Sequence, residues 1–355
     1  MYRRVEKIAA SLLVISFFIF AGCESSYVRS ARLYMQQQNP EKAIKILDEG
    51  AEKEPDNPKI WYELGVINGQ QGNYEEMNRA FDKALSLDGS LDSSVKGERL
   101  QYWDTHYRNG ANLGNEEKFE EALDEFKITR VIDDQKAGTY FGLGWINSKL
   151  GNHEEAIPHL ERAVELDAED LNSWHQLLNE YYVTEKNKKL VQASQKMIEK
   201  FPEDISGFDF MARAHSALGN DSLGIIYSEK VVEKNPEDGN LWFNLGGLYA
   251  SAKKYPDAVR CYKKSVELLP EDYDAIYNLA LVLKLDGKFD EALAVVEEMM
   301  QLRSDDPDSY RMQGNIYRSI AEKYESEGNI DKANEYKAKT AGCFKKAQEL
   351  SKDES

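Results

Sequence analysis

The chain has 355 residues and is acidic, with 63 Asp and Glu against 45 Lys and Arg and a formal net charge of −18. This charge repels phosphate backbones and anionic lipid head groups, so it argues against nucleic-acid binding and against electrostatic adhesion to membranes. The content of 9 prolines, 23 glycines and 20 tyrosines is typical of a folded protein and excludes a disordered or collagenous chain.

The first 22 residues are predicted to form a signal peptide. Residues 1–7 carry three basic side chains, and residues 8–20 are an uninterrupted run of apolar and small residues, which is the layout of a secretory signal. A helix over that run rises only about 20 Å, whereas the hydrocarbon core of a bilayer is about 30 Å thick. We therefore interpret the run as a signal rather than as a membrane-spanning anchor.

The tetrapeptide that closes this run, Phe20-Ala21-Gly22-Cys23, resembles the lipobox of bacterial lipoproteins. Phe20 stands where that family usually has leucine. The resemblance implies that Cys23 is acylated and becomes the mature N-terminus, anchored by two or three acyl chains. It also implies a periplasmic location, and Glu24 in place of an aspartate favours the outer membrane over the inner one. The alternative is an ordinary signal peptide followed by a chance cysteine.

A period of 34 residues runs through residues 23–355. The W-x2-L-G pattern at Trp61 recurs at Trp242, and all steps between units are 34 residues except one of 45. The units begin at residues 24, 58, 103, 137, 171, 205, 239, 273 and 307. With a small residue near the twentieth position and a proline near the thirty-second, the pattern is similar to that of the tetratricopeptide repeat (TPR) family. The resemblance implies an all-α, right-handed α-solenoid of about nine helix-turn-helix hairpins with a terminal helical cap.

Several signature positions have a direct physical reason. Glycine at the eighth position, as at Gly65, allows the second helix of a hairpin to approach closely. Pairs such as Gly72-Asn73 predict the turn between the two helices. Prolines such as Pro55 end the second helix because proline lacks the N–H that an interior helical turn requires.

Two units depart from the pattern. Eleven extra residues between Leu91 and Trp103 predict an early start and a protruding first helix in the third unit. In the ninth unit, Gly328 and Phe344 come late, which predicts two lengthened helices that form a polar cap. Cys261 and Cys343 lie in different units, farther apart than a disulfide permits, so both are predicted to be buried and unpaired.

No pattern in the sequence indicates catalysis or a cofactor. His153-Glu154-Glu155 begins like a zinc-protease helix, but the next histidine, His159, is six residues on instead of four. Gly142-Leu143-Gly144 lacks the third glycine and the preceding strand of a nucleotide-binding loop. We therefore predict a protein that is not an enzyme and has no metal or cofactor.

In the TPR family the first helices line a concave groove, and their fifth positions point into it. In this chain those positions are mostly aromatic, which suits the anchoring of a peptide or helix. The predicted groove residues are the fifth-position residues Tyr62, Tyr107, Phe141, His175, Phe243 and Tyr277, together with Trp145 and Tyr182 nearby. The other interpretation is that the rings pack between neighbouring first helices, because tyrosine and phenylalanine at helical spacing are usually core residues.

The predicted function is that of a noncatalytic protein-protein interaction scaffold or adaptor on the periplasmic side of a bacterial envelope. Its partners would be proteins bound in the groove, the membrane through Cys23, and no nucleic acid. The resemblance suggests roles in envelope assembly, in pilus or secretin biogenesis, or in recruitment of cell-wall enzymes, and the sequence does not choose among them. The alternative is a module that binds a small ligand or glycan through the groove aromatics.

Overall fold

The computed structural model describes residues 25–353, is 82% helical and contains no strand among those residues. Its eighteen helices, in chain order, are α1 (Ser26–Gln36), α2 (Pro40–Lys53), α3 (Pro58–Gln70), α4 (Tyr74–Leu87), α5 (Asp92–Asn115), α6 (Phe119–Ile132), α7 (Ala137–Lys149), α8 (His153–Leu166), α9 (Leu171–Val183), α10 (Asn187–Lys200), α11 (Ser206–Ala217), α12 (Asp221–Lys234), α13 (Gly239–Ser251), α14 (Tyr255–Leu268), α15 (Tyr273–Leu285), α16 (Phe289–Leu302), α17 (Pro307–Ser326) and α18 (Ile330–Asp353). The predicted all-α class is confirmed.

Consecutive helices pair into hairpins, and each hairpin turn contains one residue in the left-handed backbone region. Five of these residues are glycines, as at Gly72 with a φ of 77°, and the Asn73 N–H closes that turn on the Asn68 carbonyl at 2.9 Å. In the other four turns the left-handed residues are Gln38, Glu117, Glu185 and Lys253. Glycine adopts this conformation without steric cost, and so it ends helices readily. The Gly-Asn signal therefore finds about half of the turns.

Glycines allow close helix approach both within a hairpin, where Gly65 on α3 faces Phe81 on α4, and between neighbouring hairpins, where Gly142 on α7 faces Phe126 on α6. A Cβ at position 65 would lie 2.4 Å from the Phe81 ring, and one at position 142 would lie 2.3 Å from Phe126 Cε1. Real carbon atoms do not approach so closely, so a side chain at either position would displace a buried ring. The close approach predicted for the glycine at the eighth position is confirmed at Gly65.

We expect Gly142→Ala to destabilise the protein by about 1–3 kcal/mol, because the added methyl group overpacks the site of Phe126. Gly97→Ala is the matched control: Gly97 is also helical, in α5, but no atom lies within 4 Å of its added Cβ. That variant should gain about 0.5–1 kcal/mol from the lower entropy of the unfolded chain. Urea unfolding of the two variants checks the opposite signs, and equal effects would contradict the packing argument.

The chain divides into two compact units, residues 1–173 and 174–355, with the boundary inside α9. Within the first unit, fully buried side chains such as Leu47, Phe81 and Ile146 form separate clusters between successive hairpins. In the second unit, one continuous cluster extends from Ile225 on α12 to Ile320 on α17. Within each unit, neighbouring hairpins thus share buried apolar side chains, as repeat proteins require.

The first helix of the third repeat starts early, as predicted, but its extra residues pack against neighbouring helices, so the predicted protrusion is wrong. The 24-residue helix α5 begins at Asp92, and Val95 is 0% exposed in a cluster with Phe81 and Ile132. Arg99 on the same stretch forms an ion pair of 2.7 Å with Asp82 on α4. The burial of Val95 and the ion pair of Arg99 therefore both join the extension to the neighbouring helices.

The last hairpin is long, as predicted. Helices α17 and α18 have 20 and 24 residues, whereas α15 and α16 have 13 and 14. The Phe344 ring lies against Gly314, where a Cβ would be 3.0 Å away. Most lysine and glutamate side chains of α18 are exposed, which gives the polar outer face of a terminal repeat.

The two cysteines in the described residues are both unpaired. Cys261 is buried, and its burial raises the pKa of its thiol to about 11. Cys343 is only half-buried, and its Sγ donates to Gln313 Oε1 at 3.1 Å. The prediction of burial is therefore correct for Cys261 and wrong for Cys343.

The predicted signal peptide and Cys23 lie outside the described residues. Within residues 25–353, no helix combines the length and the apolar composition needed to cross a bilayer.

Candidate partner-binding surfaces

The fifth-position rings of the first unit are partly exposed and pack within their own hairpins. The centroid of Tyr62 on α3 is 5.7 Å from that of Phe81, and the centroid of Tyr107 on α5 is 5.6 Å from that of Phe126. Phe141 on α7 is also half-buried. Each ring in these two pairs therefore supports the second helix of its hairpin and keeps part of its surface in water.

The hydroxyl groups of two of these tyrosines remain protonated donors at neutral pH. Burial raises the pKa of Tyr62, and Glu98 on α5 raises it further as a nearby charge that accepts the hydroxyl hydrogen bond. Burial also raises the pKa of Tyr107, with a smaller contribution from Asp170. Because Glu98 belongs to the added part of α5, this extension lies next to the Tyr62 ring.

Two tryptophans of the first unit, near the fifth-position rings, are held in place by contacts with neighbouring helices. Trp103 stacks on Tyr107 with a centroid distance of 4.7 Å and an interplanar angle of 14°, and its Nε1 donates to Thr139 Oγ1 at 2.7 Å. Trp145, one of the predicted groove residues, lies so close to Gly114 that a Cβ there would be 2.5 Å from its ring. Trp145 is therefore a packing residue between α5 and α7, with only part of its ring exposed.

In the second unit, the predicted groove residues differ in character. Phe243 packs on Tyr262 at 5.5 Å between centroids, and Tyr277 is half-buried in the same core. Tyr182 is 41% exposed, with the Arg213 guanidinium 5.4 Å from its ring centroid. His175 Nε2 lies 3.2 Å from Asp204 Oδ1. This set therefore combines apolar rings with polar groups that have partners within the chain.

A hydrogen-bonded chain in the first unit was not predicted. Tyr74 Oη lies 2.6 Å from His106 Nε2, and His106 Nδ1 lies 2.6 Å from Glu125 Oε2. These contacts connect α4, α5 and α6. Burial raises the pKa of Tyr74, with a smaller contribution from Glu125. Within residues 25–353, no three His, Cys, Asp or Glu side chains are placed to hold a metal ion.

Two tryptophans at the fourth repeat position form a feature that the sequence interpretation missed. Trp61 Nε1 donates to the Pro55 carbonyl at 2.9 Å, and Trp242 Nε1 donates to the Pro236 carbonyl at 2.8 Å. Both indoles are half-buried rather than core residues. The signal in the sequence is the identical spacing of six residues from proline to tryptophan.

Family models match several parts of the chain. Models described as "Tetratricopeptide repeat" match residues 25–67, 58–90 and 137–170, and a model described as "Tetratricopeptide Repeats-Sensor" matches residues 254–354. The chain belongs to the TPR family. These matches include the first hairpin and the long last hairpin of this TPR protein.

Two curated relatives share part of the repeat array. The chain is 25% identical over 153 residues to the cell division cycle protein 16 homologs of Homo sapiens and Mus musculus. The match covers 43% of this chain and 24% of each relative, so it spans about a quarter of the relatives' length.

Solved TPR structures resemble parts of the chain. YrrB, described as a TPR protein with an unusual peptide-binding site, is 21% identical with a TM-score of 0.44, over 51% of this chain and 93% of YrrB. PilF of Pseudomonas aeruginosa is 14% identical with a TM-score of 0.46, over 58% of this chain and 94% of PilF. MamA of Desulfovibrio magneticus RS-1 is 17% identical with a TM-score of 0.44, over 47% and 94%.

Proposed function

We propose that this TPR protein is a noncatalytic scaffold that binds a peptide or helix of a partner protein through the fifth-position rings of its first helices. The observation that carries the proposal is that Tyr62, Tyr107, Phe141, Phe243 and Tyr277 are all half-buried. A ring that is held by one neighbour and partly open to water loses little side-chain entropy on binding, and such rings are common anchors at interfaces.

The chemistry of these rings favours an apolar partner surface. A protein partner can bury the free ring edges and leave its polar groups at the rim, which is the usual arrangement of a protein interface. The polar side chains His175, Asp209 and Arg311 occupy three of the other four fifth positions, and each has a hydrogen-bond partner within the chain. We therefore expect one amphipathic segment as the ligand rather than a uniformly charged one.

We further propose that Cys23 is lipidated and holds the scaffold on the periplasmic face of a bacterial envelope membrane, with the outer membrane favoured. Support comes from the basic, apolar and small-residue layout of residues 1–23. The net charge of −18 supplies no electrostatic attraction to anionic lipids, so membrane attachment requires such an anchor.

Phe243→Ala is expected to weaken binding of a crosslinked partner by about 1–4 kcal/mol, because it removes an anchor from the surface. Partners are first captured by crosslinking in the envelope fraction, and the affinity for the identified protein is then measured with purified variants. Tyr255→Ala is the control, since Tyr255 is also a half-buried ring but begins a second helix. Equal affinities of the wild-type protein and the Phe243→Ala variant would refute the proposal that the fifth-position rings bind the partner.

A further inference from the structure

A cleft of about 370 Å³ lies beside Trp242, between α12, α13 and α14 of the second unit. Its apolar wall comprises Val232, Pro236, Trp242 and Leu245. The bond of 2.8 Å from the indole Nε1 to the Pro236 carbonyl fixes the orientation of the ring. The indole therefore presents a held, half-exposed surface to whatever enters the cleft.

Two carboxylates one helical turn apart, Glu229 and Glu233, lie on one side of this cleft. Glu229 accepts a hydrogen bond from the Tyr249 hydroxyl, which holds it in place. Within residues 25–353, no cation forms an ion pair with Glu229 or Glu233, and Glu233 is exposed. Arg260 also lines the cleft, and its guanidinium forms an ion pair of 3.7 Å with Asp257. The two carboxylates are therefore not neutralised by a cation of the described chain.

The same residue types recur at the same spacing in the first unit. Around Trp61, the residues that correspond to Glu229, Glu233, Pro236 and Arg260 are Asp48, Glu52, Pro55 and Arg79. As at Trp242, the indole Nε1 of Trp61 donates a hydrogen bond to a proline carbonyl, that of Pro55, at 2.9 Å. Burial raises the pKa of Asp48, and the charge of Glu52 adds to this effect. Among residues 25–353, no cation forms an ion pair with Asp48 or Glu52, and Arg79 pairs with Glu75 and Glu76 instead.

We propose that the Trp242 cleft binds a lysine or arginine side chain of a partner protein, and that the Trp61 site binds a second basic side chain in the same way. The aliphatic stem of the side chain would lie along the apolar wall and the indole, where a cation–π contact forms. The cationic head would then bind the two carboxylates through charge-assisted hydrogen bonds. An acid or an uncharged side chain would leave this carboxylate pair without a counter-charge.

The inference rests on the proposed scaffold role in one respect, namely that the natural ligand is a protein. It concerns a different surface, because Trp242 and Trp61 occupy the fourth repeat position and contact the preceding second helix. The two proposals are therefore tested separately, one by partner affinity and the other by a probe that needs no partner.

The test uses ¹⁹F NMR of the full-length chain with its five tryptophans replaced by 5-fluorotryptophan. The probes are the N-acetyl methylamides of lysine, arginine and norleucine. We expect the signals of Trp242 and Trp61 to shift in a saturable way with lysine or arginine, and the signals of Trp103, Trp145 and Trp174 to stay unchanged. Norleucine has the apolar stem without the charge, so equal shifts with norleucine would overturn the proposal, as would the absence of a Trp242 shift.

Variants separate the cleft from other surfaces. Glu233→Gln removes an exposed carboxylate that carries no ion pair in the described chain, and it should raise the Kd of the lysine probe about threefold, the effect of one exposed charge pair. Glu237→Gln removes an acid of the same type just outside the cleft and should leave the Kd unchanged. The groove variant Tyr277→Ala should also retain the shift. Loss of the shift in folded Tyr277→Ala, or an unchanged Kd in Glu233→Gln, would show that the probe binds elsewhere. Either result would refute the proposal that the Trp242 cleft binds a basic side chain.

Discussion

Phe126→Ala is expected to lower the free energy of unfolding by about 3–5 kcal/mol, the typical cost of truncating a buried phenylalanine. Phe126 is 1% exposed and lies between Gly110 and Gly142, with the Tyr107 ring packed on it. Because two of its neighbours are glycines, they have no side chains that can move into the space. The resulting cavity should therefore remain largely open.

Urea unfolding measures this loss, and hydrogen exchange shows where it acts. Because repeats contact only their neighbours, α6 and α7 should lose protection before helices of the second unit such as α15. Tyr277→Ala, at a half-buried ring, should cost clearly less than Phe126→Ala. A uniform loss of protection, or equal costs for the two variants, would contradict the local character of the packing.

Cys23→Ala is expected to abolish acyl labelling and to leave an uncleaved precursor in the membrane fraction. The physical reason is that, under the proposal, the acylated sulfur supplies both the anchor and the substrate for processing. Labelling with a fatty-acid analogue, followed by separation of inner and outer membranes, measures both effects.

Cys343→Ala is the matched control because Cys343 is unpaired and only half-buried. It should keep the label, the processing and the membrane distribution. A cleaved, soluble Cys23→Ala product would show an ordinary signal peptide instead, and labelling confined to the inner membrane in the wild type would refute outer-membrane delivery.

The sequence was sufficient to predict the helices and their pairing. Apolar residues at helical spacing, the proline at the thirty-second position and the eighth-position glycine are local features, and they act within one hairpin. The lengthened last hairpin was also predictable, because the number of residues by which Gly328 and Phe344 come late gives the number of added helical turns. The Gly-Asn turns were found for the same reason.

Other features depend on contacts that a local pattern does not contain. A left-handed residue such as Glu117 is imposed by the closure of its hairpin, and its side chain gives no signal. Val95 is a single apolar residue in a polar stretch, so only its burial against Phe81 shows that the extension of α5 packs back. The sequence could not decide whether the fifth-position rings bind or pack, since rings such as Tyr62 are packed on one side and open on the other.

The sequence by itself determined the repeat period, the all-α class and about half of the hairpin turns, because each of these follows from interactions within about one hairpin. Tertiary structure alone decided which side of each ring is covered, where Trp145 packs, and that Trp242 and two carboxylates border one cleft. Those properties depend on residues from three helices, and the distances between helices are set by the packing of their side chains rather than by the order of residues along the chain.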